Sequence, residues 1–221
     1  RAGYRVAALD RDHAALASLS EEAIADGSSI DVAVADVSDR AAFLAALEAL
    51  YAKAGPPRLF FNNAGIARVG GFLEGGLDGF EKVLSVNLDG VLTGTHWALS
   101  RMEKEGEGTI VNMSSTAGHV PAAFMASYCA SKAAVIGFTR ALQAELGMAK
   151  SSVRLCLVSP GFVDTPIMRQ EKAPFPRFLS WLVQSPQQAA RAVLAGVRKG
   201  KRELVPDWGG WLMQKSYRLA P

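Results

Sequence analysis

The sequence predicts an α/β fold, a doubly wound parallel sheet with helices on both faces, in a single domain over residues 1–221, and three observations carry that reading. Short apolar runs recur along the chain, as at 59–61, 109–113 and 153–158, the mark of strands buried on both faces. Stretches of helical spacing separate these runs. Each run stops at a polar or glycine-containing turn, such as Asn62-Asn63-Ala64-Gly65 or Ser159-Pro160-Gly161. A chain of 221 residues with 49% hydrophobic and 20% charged residues suits one substantial domain.

In chain order, Arg1-Ala2-Gly3 reads as the end of a helix, followed by a strand over 4–9 that stops at Asp10. From Asp12 to about Ala25 the spacing is helical, with Ala15, Leu16, Leu19, Ala23 and Ile24 as its apolar stripe. A strand over 30–35 stops at Asp36-Val37, before a helix over 41–53 capped by Ser38 or Asp39. Gly55-Pro56-Pro57 ends that helix, and Leu59-Phe60-Phe61 reads as a strand buried on both faces. Residues 77 to about 105 form one long helix, with Asn87 inside it. A polar residue mid-helix ordinarily faces solvent. A strand over 109–113 precedes a helix running to about Leu146, whose core positions are Val135, Phe138, Leu142 and Leu146. A strand over 153–158 follows, then a helix from Ser185-Pro186 to about Lys199 and a last strand over 203–206.

Composition excludes several classes of function. The net charge of +3 is small, and no basic run is interleaved with aromatics as a nucleic-acid surface requires. The basic cluster over 198–202 fits a helix end better, with Gly200 as its cap and the cations favoured by the helix dipole. Cys129 and Cys156 have no metal or redox spacing and the histidines are scattered, so no metal is expected and a reducing cytoplasm is the default. No apolar run is long enough to span a membrane.

The chemistry centres on Ser114-Ser115 and Tyr128-Cys129-Ala130-Ser131-Lys132. Tyr128 and Lys132 stand one helical turn apart on one face, and Ser115 lies just after a strand. A phenol with an ordinary pKa of about 10 is a poor base near neutrality. A lysine charge roughly 4 Å away would lower that value, and burial would take part of the effect back. The set suits acid–base work on a carbonyl or alcohol. Tyr-x-x-x-Lys alone is more often just two neighbours on a helix. The joint pattern of Asn62-Asn63-Ala64-Gly65, Asn87, Ser115, Tyr128, Lys132 and Ser159-Pro160-Gly161 changes that balance.

In that order and spacing the chain, from its first residue to about Gly200, resembles the short-chain dehydrogenase/reductase family, of the type with a Ser-Tyr-Lys-Asn tetrad. The resemblance implies a Rossmann-like sheet and hydride transfer between a nicotinamide cofactor and a secondary alcohol or ketone. Tyr128 would exchange the proton, Ser115 would bind the substrate oxygen, and Lys132 would bias Tyr128 and hold the nicotinamide ribose. Asn87 would sit at a helix irregularity and hold a relay water. The resemblance further assigns Asp10 and Arg11 to the adenosine ribose, Asp36 and Val37 to the adenine, and Asn63, Ala64 and Gly65 to the cofactor's flank. Pro160, Gly161, Val163 and Thr165 would meet its nicotinamide end. Asp36 is nearly as well read as a helix-capping residue, and Asn62 as a structural one.

Asp10 would repel the 2′-phosphate of NADP and Arg11 would attract it, and NAD is the expected cofactor with NADP as runner-up. The family's glycine-rich turn matches no stretch here, so a strand, a turn and a helix, about 25–30 residues, are expected upstream. Residues 166–185, with Phe175, Phe178, Leu179, Trp181 and Leu182, would cover an apolar substrate, or serve as ordinary packing or a subunit contact. The tail over 207–221 carries a stripe of Trp208, Trp211, Leu212, Lys215 and Leu219. Core or oligomer packing, as in a homodimer or homotetramer, is its favoured use, ahead of a membrane surface. The rival reading is a non-catalytic nucleotide-binding sensor or scaffold on the same fold.

Overall fold

The computed structural model describes residues 3–165 and 183–219. Six strands are found there: β1 (Val6–Asp10), β2 (Ile30–Val34), β3 (Leu59–Asn62), β4 (Gly108–Met113), β5 (Val153–Val158) and β6 (Glu203–Leu204). The helices are α1 (His13–Ala25), α2 (Arg40–Ala54), α3 (Phe72–Leu84), α4 (Gly90–Glu105), α5 (Ala126–Met148), α6 (Pro186–Arg198) and α7 (Trp208–Leu219). All strand pairings are parallel, in a two-stranded sheet β1-β2 and a four-stranded sheet β3-β4-β5-β6.

The strands alternate between two faces, and each face has its own core. Ile110 and Leu155 point into a cluster with Phe43, Leu47, Trp97 and Met102 from α2 and α4. Their neighbours Val111 and Cys156 point the other way, onto Val193 and Val197 of α6 and Leu204. Helices therefore cover both faces, as the sequence predicts. Leu9 and Val37 pack against the first cluster too, so that core joins the two sheets.

The helix starts follow local chemistry. Asp12 caps α1 by accepting from the Ala15 amide, and Asp39, not Ser38, caps α2 by accepting from Ala42. Ser185 and Gln188 form a capping box around Pro186 at the start of α6. Gly200 adopts φ 70°, which ends α6 in the manner expected of a left-handed glycine.

Three expectations need correction. The stretch over 77–105 is not one regular helix: α3 begins at Phe72 with a kink at Gly76, and a π-helical turn, Ser85–Asp89, separates it from α4. Phe61 is 38% exposed, because β3 pairs with β4 alone and has no strand on its other side among the described residues. Of the α1 stripe only Leu16 is buried. Leu19 and Ile24 are exposed, since a two-stranded sheet offers α1 little surface to cover.

The tail also departs from expectation. Gly210, Met213, Gln214 and Tyr217 form the inward face of α7. Trp208, Trp211, Leu212 and Leu219 are exposed, so the stripe is not part of this chain's own core. Residues 166–182, which hold most of the expected substrate cover, lie outside the described residues.

Candidate active site

Because the strands are parallel, the turns after β3, β4 and β5 open at the same end of the sheet. The turn after β4 is tied to the turn after β5: Ser114 donates its amide to Val158 O at 2.7 Å, and Thr116 donates to Pro160 O at 2.8 Å. The Ser114 hydroxyl donates to Lys132 O at 2.8 Å, which fixes the same turn to α5. Ser115 then starts a 3₁₀ turn, Thr116–Gly118, by accepting from the Ala117 amide. A Cβ on Gly118 would lie 2.7 Å from the Lys132 carbonyl carbon, so only glycine lets this turn approach α5 so closely.

That approach brings Ser115 beside Tyr128, close enough for the serine hydroxyl to draw the phenol's pKa down. Lys132 lies under them, 4% exposed, its Nζ donating to Met113 O at 2.9 Å and 5.7 Å from the Tyr128 ring centroid. Asn87 does not face solvent. It is fully buried, its Oδ1 accepting from the Ile66 amide at 2.8 Å and its Nδ2 donating to Ile66 O and Ser131 Oγ. Ser131 in turn donates to Tyr128 O at 2.7 Å. The π-helical turn, the segment after β3 and α5 are thus locked together through one amide side chain.

The electrostatics differ from the expectation of a lysine-lowered phenol. Burial pushes the Tyr128 pKa up, with the Ser115 hydrogen bond opposing it in part and Cys129 adding to the rise. Burial pushes Lys132 down to about 8. The lysine spends its hydrogen bond on a neutral carbonyl, and among the described residues no carboxylate pairs with it. Tyr128 therefore carries its proton at neutral pH in this state, as a general acid must.

The residues assigned to a cofactor divide into two groups. Asn63 and Ala64 are exposed beside Gly65, where an added Cβ would lie 3.3 Å from Asn87 Oδ1 and 3.4 Å from Lys132 Nζ. Pro160 and Gly161 lie against the β4 turn, and Val163 pairs with Gln184 in a short bridge that leads to Thr165. Gly65 and Pro160 thus lie close to the Ser115–Lys132 cluster. Asp10, Arg11, Asp36 and Val37 sit farther along, at the ends of β1 and β2. Asp10 is exposed and accepts from the Asp12 amide at 3.0 Å. Arg11 and Lys82 both lie 3.6 Å from Asp36. Asp36 accepts from the amide and hydroxyl of Ser38, which hold its pKa below the usual value, so it shapes the turn without capping α2. Val37 packs into the core and against Gly90.

Asn62 is structural. Its amide bonds Thr95 and Asn112, and Asn112 bonds Thr139, so a buried network ties β3 and β4 to α4 and α5. Sequence reasoning gave Ser114 and Ser131 no role of their own, and it missed Asp207. The Asp207 carboxylate accepts from the Gly161 amide at 2.7 Å and the Gly210 amide at 2.5 Å. Asp three residues before Gly210 is a legible cap signal for α7, but its bond across to Gly161 is not.

The short chain dehydrogenase model matches residues 1–174. The chain belongs to that family. It is 38% identical over 169 residues to the Mycobacterium tuberculosis protein EphD, covering 76% of this chain and 28% of that protein. The chain thus spans under a third of the length of that relative. Among solved structures it superposes on a short chain dehydrogenase/reductase of Burkholderia phymatum in complex with NAD, with a TM-score of 0.86, 25% identity, and 96% and 83% of the two chains covered. It also superposes on a gluconate 5-dehydrogenase of Burkholderia cenocepacia in complex with NADP and tartrate, with a TM-score of 0.72, 28% identity, and 81% and 69% covered. The arrangement of an α/β sheet with the tetrad at the open ends of its strands is in keeping with that family. Among the described residues no helix is long and apolar enough to cross a membrane, and no cluster of metal-ligating side chains occurs.

Proposed function

We propose that this protein is an oxidoreductase that moves a hydride between a nicotinamide cofactor and a secondary alcohol or ketone. The observation that carries the reading is the convergence of Ser115, Tyr128 and Lys132, with the serine hydroxyl beside the phenol and the lysine buried beneath, 5.7 Å from the ring centroid. The residues fit the cofactor: Gly65 leaves room between Asn87 and Lys132, and Asn63 and Ala64 expose the flank beside them. The cofactor, when bound, supplies the hydride. In the reducing direction Tyr128 Oη gives its proton to the substrate oxygen, and in the oxidising direction it takes one back. Ser115 orients that oxygen by hydrogen bonding. Lys132 would bond the nicotinamide ribose, and its charge, which does not offset burial at Tyr128 in this state, would favour the phenolate during proton transfer. Asn87 holds the backbone of Ile66 and α5 in register beside the site.

NAD is the proposed cofactor. Asp10 stands exposed at the end of β1, where a carboxylate accepts from ribose hydroxyls and repels a 2′-phosphate. Arg11, which would favour NADP, is drawn toward Asp36. The substrate is small and apolar in this reading. The two cysteines are free, in keeping with the cytoplasm, and the exposed face of α7 is in keeping with a homodimer or homotetramer. Turnover of a panel of apolar ketones and alcohols with NAD(H) tests the proposal. Cofactor binding with no turnover on any of them would favour the sensor reading.

A further inference from the structure

At the end of the sheet opposite the catalytic turns there is a cavity of about 370 Å³, between the end of α5, the start of β5 and the end of α6. Lys150, Arg154, Lys201 and Arg202 line it, and its lining contains no carboxylate. Arg202 donates to Gln143 O, but Lys150, Arg154 and Lys201 make no ion pair among the described residues. Two acids border the cavity: Glu103 accepts from the hydroxyl of the lining residue Ser151, and Glu203 is held by Arg140 in two hydrogen bonds.

Cations gather at helix C-termini for a simple reason, since each end carries the equivalent of about half a negative charge. Two such ends offset about one charge of the four here, and Arg154 belongs to a strand. Helix ends therefore leave most of the positive charge uncompensated. Lys150 adds a second observation. It holds φ 52° at the position after α5 where the Ser151 amide returns to Leu146 O, a place where glycine is usual and a side chain is strained. A lysine kept at a strained position beside a concave cationic surface points to a ligand. The cavity's buried Val153 and Val197 give it an apolar floor.

We propose that this cavity binds the phosphate group of a small phosphorylated molecule, at a site separate from the catalytic one. A free phosphorylated metabolite and a phospholipid headgroup present the same chemistry. The test is calorimetric titration of the full chain with tripolyphosphate, with matched ionic strength of sodium chloride as control. Saturable binding that weakens at least about fivefold for each of Lys150→Ala, Arg154→Ala and Lys201→Ala is the expected result. Lys150→Gly separates binding from folding. It relieves the left-handed strain, so the melting temperature should rise by about 2 °C while binding weakens as in the alanine variant. Co-sedimentation with phosphatidic-acid vesicles, lost in the triple alanine variant, would support the headgroup as the source of the same group. No saturable tripolyphosphate binding together with no such vesicle binding, or binding unchanged in the triple variant, would overturn the proposal.

Discussion

Asp207 and Gly161 are joined by a 2.7 Å hydrogen bond from the glycine amide to the carboxylate, 46 residues apart in sequence. The same carboxylate caps α7 through Gly210, so the tail and the turn after β5 form one unit beside the tetrad. A Cβ on Gly161 would lie 2.6 Å from Asp207 Oδ1, so any other residue there would push the carboxylate from its two amides.

Asp207→Ala should strand two amides and cost about 1–3 kcal/mol of stability. It should also raise the KM for the cofactor more than it lowers kcat, since it loosens the turn assigned to the nicotinamide end. Asp207→Asn, which keeps one accepting oxygen, should recover part of both losses. Steady-state kinetics and denaturant titration check this. An unchanged cofactor KM would leave Asp207 as a helix cap alone.

Tyr128→Phe keeps the ring and removes the proton. Turnover should fall by about 10²–10⁴-fold, the usual worth of a positioned acid–base group, with cofactor affinity nearly unchanged. Retention of most of the activity would remove Tyr128 from its proposed role.

Lys132 makes stability depend on pH. Its folded pKa, about 8, lies below the unfolded value near 10.5. Between these values the unfolded chain binds more protons, so stability rises with pH from about 8 to 10.5, and the full penalty of the buried charge applies below 8. Lys132→Met removes that penalty. At pH 7 the variant should be at least as stable as the parent, and its advantage should shrink through the same window while activity is lost. A variant much less stable than the parent at pH 7 would mean that the bond to Met113 outweighs the buried charge.

Asp10→Ala should move the cofactor preference toward NADP by removing the repulsion and leaving Arg11 in place. The ratio of kcat/KM with the two cofactors measures it. A parent enzyme that already prefers NADP would assign the site to Arg11.

Much was legible in the sequence because it is local. The apolar runs of β4 and β5 specify two buried faces, Asp12 and Ser185 specify helix starts, and Tyr128 and Lys132 share a face because four residues make about one turn. The tetrad's members were recognisable as residues, and so was the irregularity at Asn87 through family resemblance. What only the tertiary structure decided concerns partners distant in sequence. Asn87 is buried on Ile66 and Ser131, Asp207 on Gly161, and Asp36 answers to Lys82 as well as to its own turn. The direction of the Tyr128 and Lys132 shifts was also decided there. Spacing places a charge near a phenol, but desolvation depends on everything packed around the pair, and here burial is the larger cause for both. The outward turn of the α7 stripe has the same origin: its sequence marks an apolar face, while the cap at Asp207 and the contact of Gly210 with Thr116 select which face meets the body.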